Sequence, residues 1–155
     1  MKKYDRLIFV STGDTSVGPM AEAIMQSKYL LDELDVTSKG LVVLFPEPIN
    51  PKAEAVLVSN GLTMKHHMSD PLVREDFDDR TLILTFDDEV RDKTLETFRP
   101  EREDLVQVLF RFVDWPENLP NPYGGTLADY GQCFEILQYM IKKLVVQLNE
   151  EELLC

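Results

Sequence analysis

Hydroxyl groups and a carboxylate are concentrated just after an apolar run near the start of the chain. Ser11, Thr15 and Ser16 supply hydroxyls, and Asp14 supplies the carboxylate. The apolar run at residues 7–10 predicts a buried strand, and Pro19 is favoured in the first turn of a helix. A strand that enters a helix through a short loop points several backbone N–H groups at one spot, where the helix dipole adds positive charge. These residues therefore predict an anion-binding loop, although the G-x-G-x-x-G and Gly-Lys-Ser/Thr patterns of nucleotide-binding loops are missing.

Residues 10–23 read VSTGDTSVGPMAEA, and this run resembles the phosphate-binding loop of the low-molecular-weight protein tyrosine phosphatases, a family shared with some arsenate reductases. The family pattern, Cys-(x)5-Arg-Ser-Pro-Met-Ala-Glu, aligns here without a gap. On that alignment Ser11 takes the position of the nucleophilic cysteine, and Val17 takes the position of the phosphate-binding arginine. Late in the chain Asn121 precedes Pro-Tyr, where the family carries its general acid, an aspartic acid.

The resemblance implies that three reactive groups of the family have been exchanged. In the family a thiolate attacks phosphorus, an arginine holds the phosphate oxygens, and an aspartic acid protonates the leaving oxygen. Serine ionises far less readily than cysteine, valine carries no charge, and asparagine has no titratable proton. A general acid alone typically contributes ~10²–10⁴-fold to a rate. No catalytic residue is therefore expected, and Ser11, Val17 and Asn121 are interpreted as degenerate positions of a naturally inactive relative rather than of a substrate trap, which would keep the arginine.

Asp14 takes a position at which the family usually carries asparagine. Its carboxylate is predicted to lie beside the anion site and to repel a unit negative charge ~4–5 Å away by roughly 3–4 kcal/mol. One reading is an Asx or Ser turn in which Asp14, nearby hydroxyls or water satisfy the loop N–H groups. The other reading is a weakened ligand pocket. Its predicted ligand-binding residues are Ser11, Thr12, Gly13, Asp14, Thr15, Ser16, Val17, Gly18 and Tyr123.

Composition restricts the class of partner. The chain has 155 residues, of which 44% are hydrophobic and 28% charged, as in one globular domain. Its formal net charge of -12 opposes binding to nucleic acid or to an anionic membrane, so neither is expected as a partner. With no run of membrane-spanning length and no signal-peptide core, a cytoplasmic location is expected. The phosphatase-like domain is predicted over residues 1–149, followed by a short acidic tail at 150–155.

The cysteines and histidines predict no metal site, and no cofactor is expected. Cys133 lies in a helical apolar pattern and is predicted to be a core residue, while Cys155 ends the sequence. The pair is too sparse to indicate a disulfide scaffold. His66 and His67 are adjacent, so on a strand they would face opposite ways, and no third ligand accompanies them.

Alternating strand and helix patterns predict the architecture that positions the loop. Strands are predicted at residues 6–10, 36–43, 81–85 and 105–110. Helices are predicted from Pro19 through Leu31, at residues 52–60, after the N-cap Asp87, and at about residues 126–149. This order predicts a single-domain α/β fold with a doubly wound four-stranded parallel sheet flanked by helices. In such folds the site lies beyond the carboxyl ends of the strands, which is where residues 11–18 fall.

Three hypotheses for the function follow. The leading one is a catalytically inactive phosphatase-like protein that binds a protein partner or a small ligand. The alternative is a tyrosine-phosphatase-type phosphate monoester hydrolase of altered mechanism, with Ser11 activated by a residue distant in sequence such as His66 or His67. The third is a structural subunit whose site region is buried in a homodimer or another oligomer. Three aromatic side chains are candidates for the pocket mouth, those of Phe45, Trp115 and Tyr123.

Overall fold

The computed structural model describes residues 3–28 and 33–154, with side chains described up to residue 150, so the predictions for Leu31 and Cys155 lie outside the described residues. Four strands form one parallel sheet: β1 (Arg6–Ser11), β2 (Asp35–Gly40), β3 (Thr81–Thr85) and β4 (Val106–Val108). Their order across the sheet is β2-β1-β3-β4. The predicted doubly wound four-stranded parallel sheet is confirmed.

Helices flank this sheet and connect its strands. They are α1 (Val17–Gln26), α2 (Pro51–Ser59), α3 (Asp88–Phe98), α4 (Leu109–Phe112) and α5 (Leu127–Leu154). Helix α4 occupies residues that the sequence pattern assigned to the end of the fourth strand. Helix α5 continues beyond residue 149 to Leu154, although acidic side chains at a helix C-terminus oppose the dipole. No helix in residues 3–28 or 33–154 is long and apolar enough to cross a membrane.

Side-chain caps fix where the helices begin. The Asp87 carboxylate accepts the Val90 N–H at 2.8 Å, which confirms the predicted N-cap of α3. At the start of α5 the Thr126 hydroxyl accepts the Asp129 N–H, and the Asp129 carboxylate accepts the Thr126 N–H. This reciprocal pair is a capping box with aspartate in the acidic position. Gly61 follows α2 with a φ of 77°, as predicted for the residue after the helix end.

Strand β1 is apolar throughout because both of its faces are covered. Leu7 and Phe9 belong to the larger core cluster, together with the buried faces of α1 and α5. Ile8 and Val10 point the other way, into a smaller cluster that α3 completes. Since β1 has β2 on one side and β3 on the other, the connections that leave β1 and β3 diverge to opposite faces and open a cleft at the carboxyl edge of the sheet.

Candidate functional site

A single cavity of about 610 Å³ occupies that cleft, and we call it the loop cavity. Its base is the loop from Ser11 to Val17, which joins β1 to α1. Asp87, after β3, lines one wall, and Asn121 and Tyr123 from the segment before α5 line another. Ser11, Val17 and Asn121, which the sequence alignment assigned to one site, therefore surround the same hollow.

Hydrogen bonds hold the carbonyl groups of this loop against the surrounding protein. The carbonyl oxygens of Ser11 and Thr12 accept the N–H groups of Leu41 and Val42 at 3.0 and 2.8 Å. The Thr15 carbonyl accepts the Asn50 N–H at 2.8 Å, and the Asp14 carbonyl accepts a hydrogen bond from Nε2 of His67 at 2.7 Å. In a trans peptide the next N–H points opposite to the carbonyl. The N–H groups that follow these four carbonyls consequently turn away from the anchoring segments.

Those N–H groups remain available. No acceptor in the described part of the chain takes the N–H of Thr12, Gly13, Thr15, Ser16 or Val17. Two of them lie at the N-terminus of α1, where the helix dipole adds partial positive charge. The Asp14 carboxylate does not accept any of them, because it bonds the Asp70 N–H, whereas the reading in which a nearby hydroxyl accepts a loop N–H holds for the Asp14 N–H, which donates to Ser11 Oγ. The loop keeps the form of an anion-binding site.

Asp14 turns its carboxylate behind the loop. Its φ of 59° is in the left-handed region, which Asp and Asn tolerate better than most residues. Oδ2 accepts the Asp70 N–H at 3.0 Å, while the Asp14 N–H donates to Ser11 Oγ at 3.1 Å. The side chain is fully buried. The carboxylate predicted to lie beside the anion site therefore lies directly beneath the loop, on the side away from the solvent.

Burial raises the pKa of Asp14 to about 6, and the neighbouring Glu22 carboxylate adds to the increase. His67 and the Asp70 N–H act in the opposite direction. Burial also raises the pKa of Glu22. Oδ1 of Asp14 and the hydroxyl of Ser38 are buried without a hydrogen-bond partner among the described residues. The base of the loop cavity is consequently an electrostatically costly place for a charged aspartate.

Gly18 lies against the unpartnered oxygen. A Cβ built on Gly18 would lie 3.1 Å from Asp14 Oδ1 and 3.2 Å from Ser11 Oγ, so the loop packs closely around this position. The family pattern carries serine here, and this chain has lost that donor. Gly18 is buried and is the one residue of the predicted loop that does not line the loop cavity.

Val17 and Asn121 supply neither charge nor acid to the loop cavity. Val17 is 8% exposed and belongs to the main core cluster, so an apolar side chain fills the position of the family arginine. Asn121 is exposed, and its Oδ1 accepts the Tyr123 N–H at 3.1 Å, which shapes the turn before α5.

The charged side chains at the loop cavity are all carboxylates. Glu47 and Asp87 line it, Asp14 contributes its backbone and holds its buried carboxylate beneath the loop, and no Lys, Arg or His lines it within the described ranges. Lys39 and Arg111, which do not line the cavity, pair with other carboxylates, since Lys39 Nζ lies 2.6 Å from Asp70 and Arg111 lies 2.8 Å from Asp88. Sequence reasoning identified Asp87 only as a helix cap. Its position at the carboxyl end of the strand beside β1 was the signal that would have placed it in the site.

Neither histidine reaches the loop cavity. His67 is held against the Asp14 carbonyl behind the loop, and His66 is exposed. The predicted activation of Ser11 by one of them is therefore not available in this arrangement.

Trp115, predicted as a candidate for the pocket mouth, instead stacks on Tyr139 of α5 with ring centroids 6.4 Å apart. Phe45 and Tyr123 do line the mouth.

Cys133 cannot replace the missing nucleophile. It is fully buried in α5, outside the loop cavity, and burial raises the pKa of its thiol to about 12. Its prediction as a core residue is confirmed. Among residues 3–28 and 33–154, no group of three or more His, Cys, Asp or Glu side chains is arranged to hold a metal ion.

The parallel sheet, the loop after β1 and the helix that follows it define a phosphatase-type α/β fold. The profile described as "low molecular weight phosphotyrosine protein phosphatase" matches residues 6–153, and the chain belongs to that family.

Individual relatives agree with this assignment. A protein-arginine-phosphatase of Geobacillus stearothermophilus is 30% identical over 95% of this chain and 98% of its own length. The low molecular weight protein-tyrosine-phosphatase PtpB of Staphylococcus haemolyticus is 29% identical over 90% of this chain and 96% of its own. The structure of YwlE arginine phosphatase from Geobacillus stearothermophilus superposes with a TM-score of 0.87 at 30% identity, covering 96% of this chain and 95% of that one. A YwlE mutant with a phosphorylated active-site serine superposes with a TM-score of 0.81 at 28% identity, covering 92% and 95%.

Proposed function

We propose that this chain is a catalytically inactive member of the low-molecular-weight phosphatase family, which binds a protein partner or a small ligand in the loop cavity. One observation carries the proposal. Val17 fills the arginine position with a core side chain, and no basic residue of the described chain lines the cavity in its place.

Phosphoryl transfer depends on that missing charge. The oxygens of a phosphate monoester are doubly negative near neutral pH, and catalysis consists largely of positioning and electrostatic stabilisation. A bidentate guanidinium supplies both functions, which backbone N–H groups supply only in part. Loss of one transition-state donor typically costs ~10²–10³-fold in kcat, and loss of a general acid typically costs ~10²–10⁴-fold. With Asn121 at the acid position, both losses apply here.

The experiment is a turnover assay. Purified protein is incubated with para-nitrophenyl phosphate, a phosphotyrosine peptide and a phosphoarginine peptide, and phosphate release is compared with that of Ser11→Ala. We expect equal, background-level release from both proteins. Release that depends on Ser11 would overturn the proposal.

A second candidate function is phosphoryl transfer through Ser11, and two observations favour it. Ser11 Oγ lies at the base of the loop cavity, hydrogen-bonded by the Asp14 N–H. In addition, a mutant of the related YwlE arginine phosphatase carries a phosphorylated active-site serine. In this alternative, Ser11 Oγ bonds to phosphorus as the bond to the leaving oxygen or nitrogen breaks, and the serine proton ends on the leaving group.

Mass spectrometry separates the two candidates. Intact-mass and peptide analysis after incubation with the phosphoarginine peptide would detect a phosphate ester on Ser11 even if its hydrolysis were slow. A phosphorylated Ser11 supports the second candidate, and an unmodified Ser11 supports inactivity.

A further inference from the structure

The mouth of the loop cavity combines exposed apolar side chains with two carboxylates that no basic side chain of the described residues pairs, although one of them, Asp87, also caps α3. Leu44 is 88% exposed, Phe45 is 64% exposed and Tyr123 is 74% exposed, and all three line the cavity. Glu47 and Asp87 lie among them. Exposed apolar groups that surround a cavity are typical of a binding surface rather than of ordinary solvent-facing protein.

The charges decide which kind of ligand this surface favours. No ion pair of the described residues involves Glu47 or Asp87, and the cavity lining contains no basic side chain. The formal net charge of -12 adds a negative potential over the whole surface. A phosphorylated side chain would bring two negative charges into this field without a guanidinium to receive them. A positively charged segment would be attracted to it.

The base of the cavity determines where that positive charge would lie. Five loop N–H groups have no acceptor among the described residues and carry partial positive charge, so a cation is not favoured at the base. An uncharged side chain with an acceptor oxygen suits this position, and its apolar body suits the walls formed by Val42, Leu44 and Phe45. Basic residues on either side of that side chain would then lie near Glu47 and Asp87.

We propose, on the basis of the inactive binding function above, that the loop cavity docks a basic protein segment presenting an unphosphorylated aromatic side chain, such as tyrosine, between Lys or Arg residues. This site would therefore prefer the unphosphorylated side chain to the phosphorylated one. The apolar ring and its hydroxyl enter the cavity, and the flanking cations pair with Glu47 and Asp87. Added phosphate on the ring weakens binding.

Three end-blocked fluorescent peptides test this proposal by anisotropy: tyrosine between Arg and Lys residues, the same peptide with phosphotyrosine, and tyrosine between Glu residues. We expect the first to bind most tightly, phosphorylation to weaken it about tenfold, and the acidic peptide to bind weakest. Binding of the first peptide should also fall as salt is raised. Tighter binding of the phosphotyrosine peptide, or no binding by the basic peptide, would overturn the proposal.

Variants locate the interaction. Glu47→Gln combined with Asp87→Ser removes both charges, and serine keeps an N-cap acceptor for α3. This variant should bind the basic peptide about tenfold more weakly, whereas Asp92→Asn combined with Glu96→Gln, which removes two exposed charges of α3, should bind like wild type. Equal losses in both variants would show a nonspecific charge effect and contradict the docking site. Phosphate release from the phosphotyrosine peptide by wild-type protein would instead contradict the inactive function, so the two failures remain distinct.

Discussion

Asp14 Oδ2 lies 3.7 Å from His67 Nε2, and the same imidazole nitrogen donates a hydrogen bond to the Asp14 carbonyl at 2.7 Å. Both side chains are buried, with 0% of the Asp14 side chain and 6% of the His67 side chain exposed. One histidine thus contacts both the backbone and the carboxylate of the residue at the centre of the loop. Two consequences can be measured.

The first concerns the pH dependence of stability. The pKa of Asp14 rises from 3.8 to about 6 on folding, so the folded protein favours the protonated carboxyl. This contribution is fully present below about pH 4 and is lost as the pH rises through 6, where the buried group must ionise. The difference corresponds to roughly 3 kcal/mol. Asp14→Asn should therefore gain stability relative to wild type between pH 4 and pH 8, as measured by urea denaturation across that range.

Asp92→Asn is the matched control, because Asp92 is exposed on α3 and should show no such trend. A stability difference between Asp14→Asn and wild type that is constant from pH 4 to pH 8 would contradict the assignment of a raised pKa to Asp14.

The second consequence concerns the support that His67 gives to the loop. His67→Ala removes the donor to a carbonyl that has no other partner among the described residues, and an unsatisfied buried group typically costs ~1–3 kcal/mol. We expect a loss of that size in the free energy of unfolding. His66→Ala, at an exposed neighbour, should change it by less than about 0.5 kcal/mol. His67→Gln, whose amide N–H can reach the same carbonyl, should recover part of the loss, and equal effects at residues 66 and 67 would rule out this role.

Cys133 offers a separate test of the claim that no thiolate is available. Because burial raises its pKa to about 12, the thiol should stay protonated and unreactive in the folded protein. In a Cys155→Ser background, iodoacetamide at pH 8 should leave Cys133 unmodified until urea unfolds the protein, as read by mass spectrometry. Rapid alkylation under native conditions would contradict the burial of Cys133.

The sequence predicted the sheet and the composition of the site more reliably than the orientation of side chains within it. Uniformly apolar β1 and the strand–helix alternation specified a sheet covered on both faces. The gapless alignment around Pro19 placed Ser11 and Val17 in one loop. Asn121 was assigned to the site only because residues 121–123, Asn-Pro-Tyr, match the Asp-Pro-Tyr of the family far along the chain. The structure brings Asn121 to the same cavity.

The orientation of the side chains in the site depends on tertiary contacts, which a local sequence pattern does not predict. Asp14 was expected beside the anion site, but the side on which its carboxylate lies depends on the Asp70 N–H and on His67, which come from a segment more than fifty residues away and hold the carboxylate and the carbonyl of Asp14. Trp115 was predicted as a candidate for the pocket mouth, but in the structure its ring stacks on Tyr139 of α5. Glu47 and Asp87 line the cavity because the connections after β2 and β3 converge on it, which no local pattern shows.

Restoring the three reactive groups tests the central claim most directly. The triple variant Ser11→Cys, Val17→Arg and Asn121→Asp would be assayed for para-nitrophenyl phosphate hydrolysis beside wild type and beside each double variant that lacks one of the three changes. We predict hydrolysis at least about 10²-fold above wild type in the triple variant, with the double variant that lacks the arginine far less active. A folded triple variant that hydrolyses no faster than wild type would contradict the claim that the loop cavity keeps the geometry of a phosphatase site and has lost only its reactive groups.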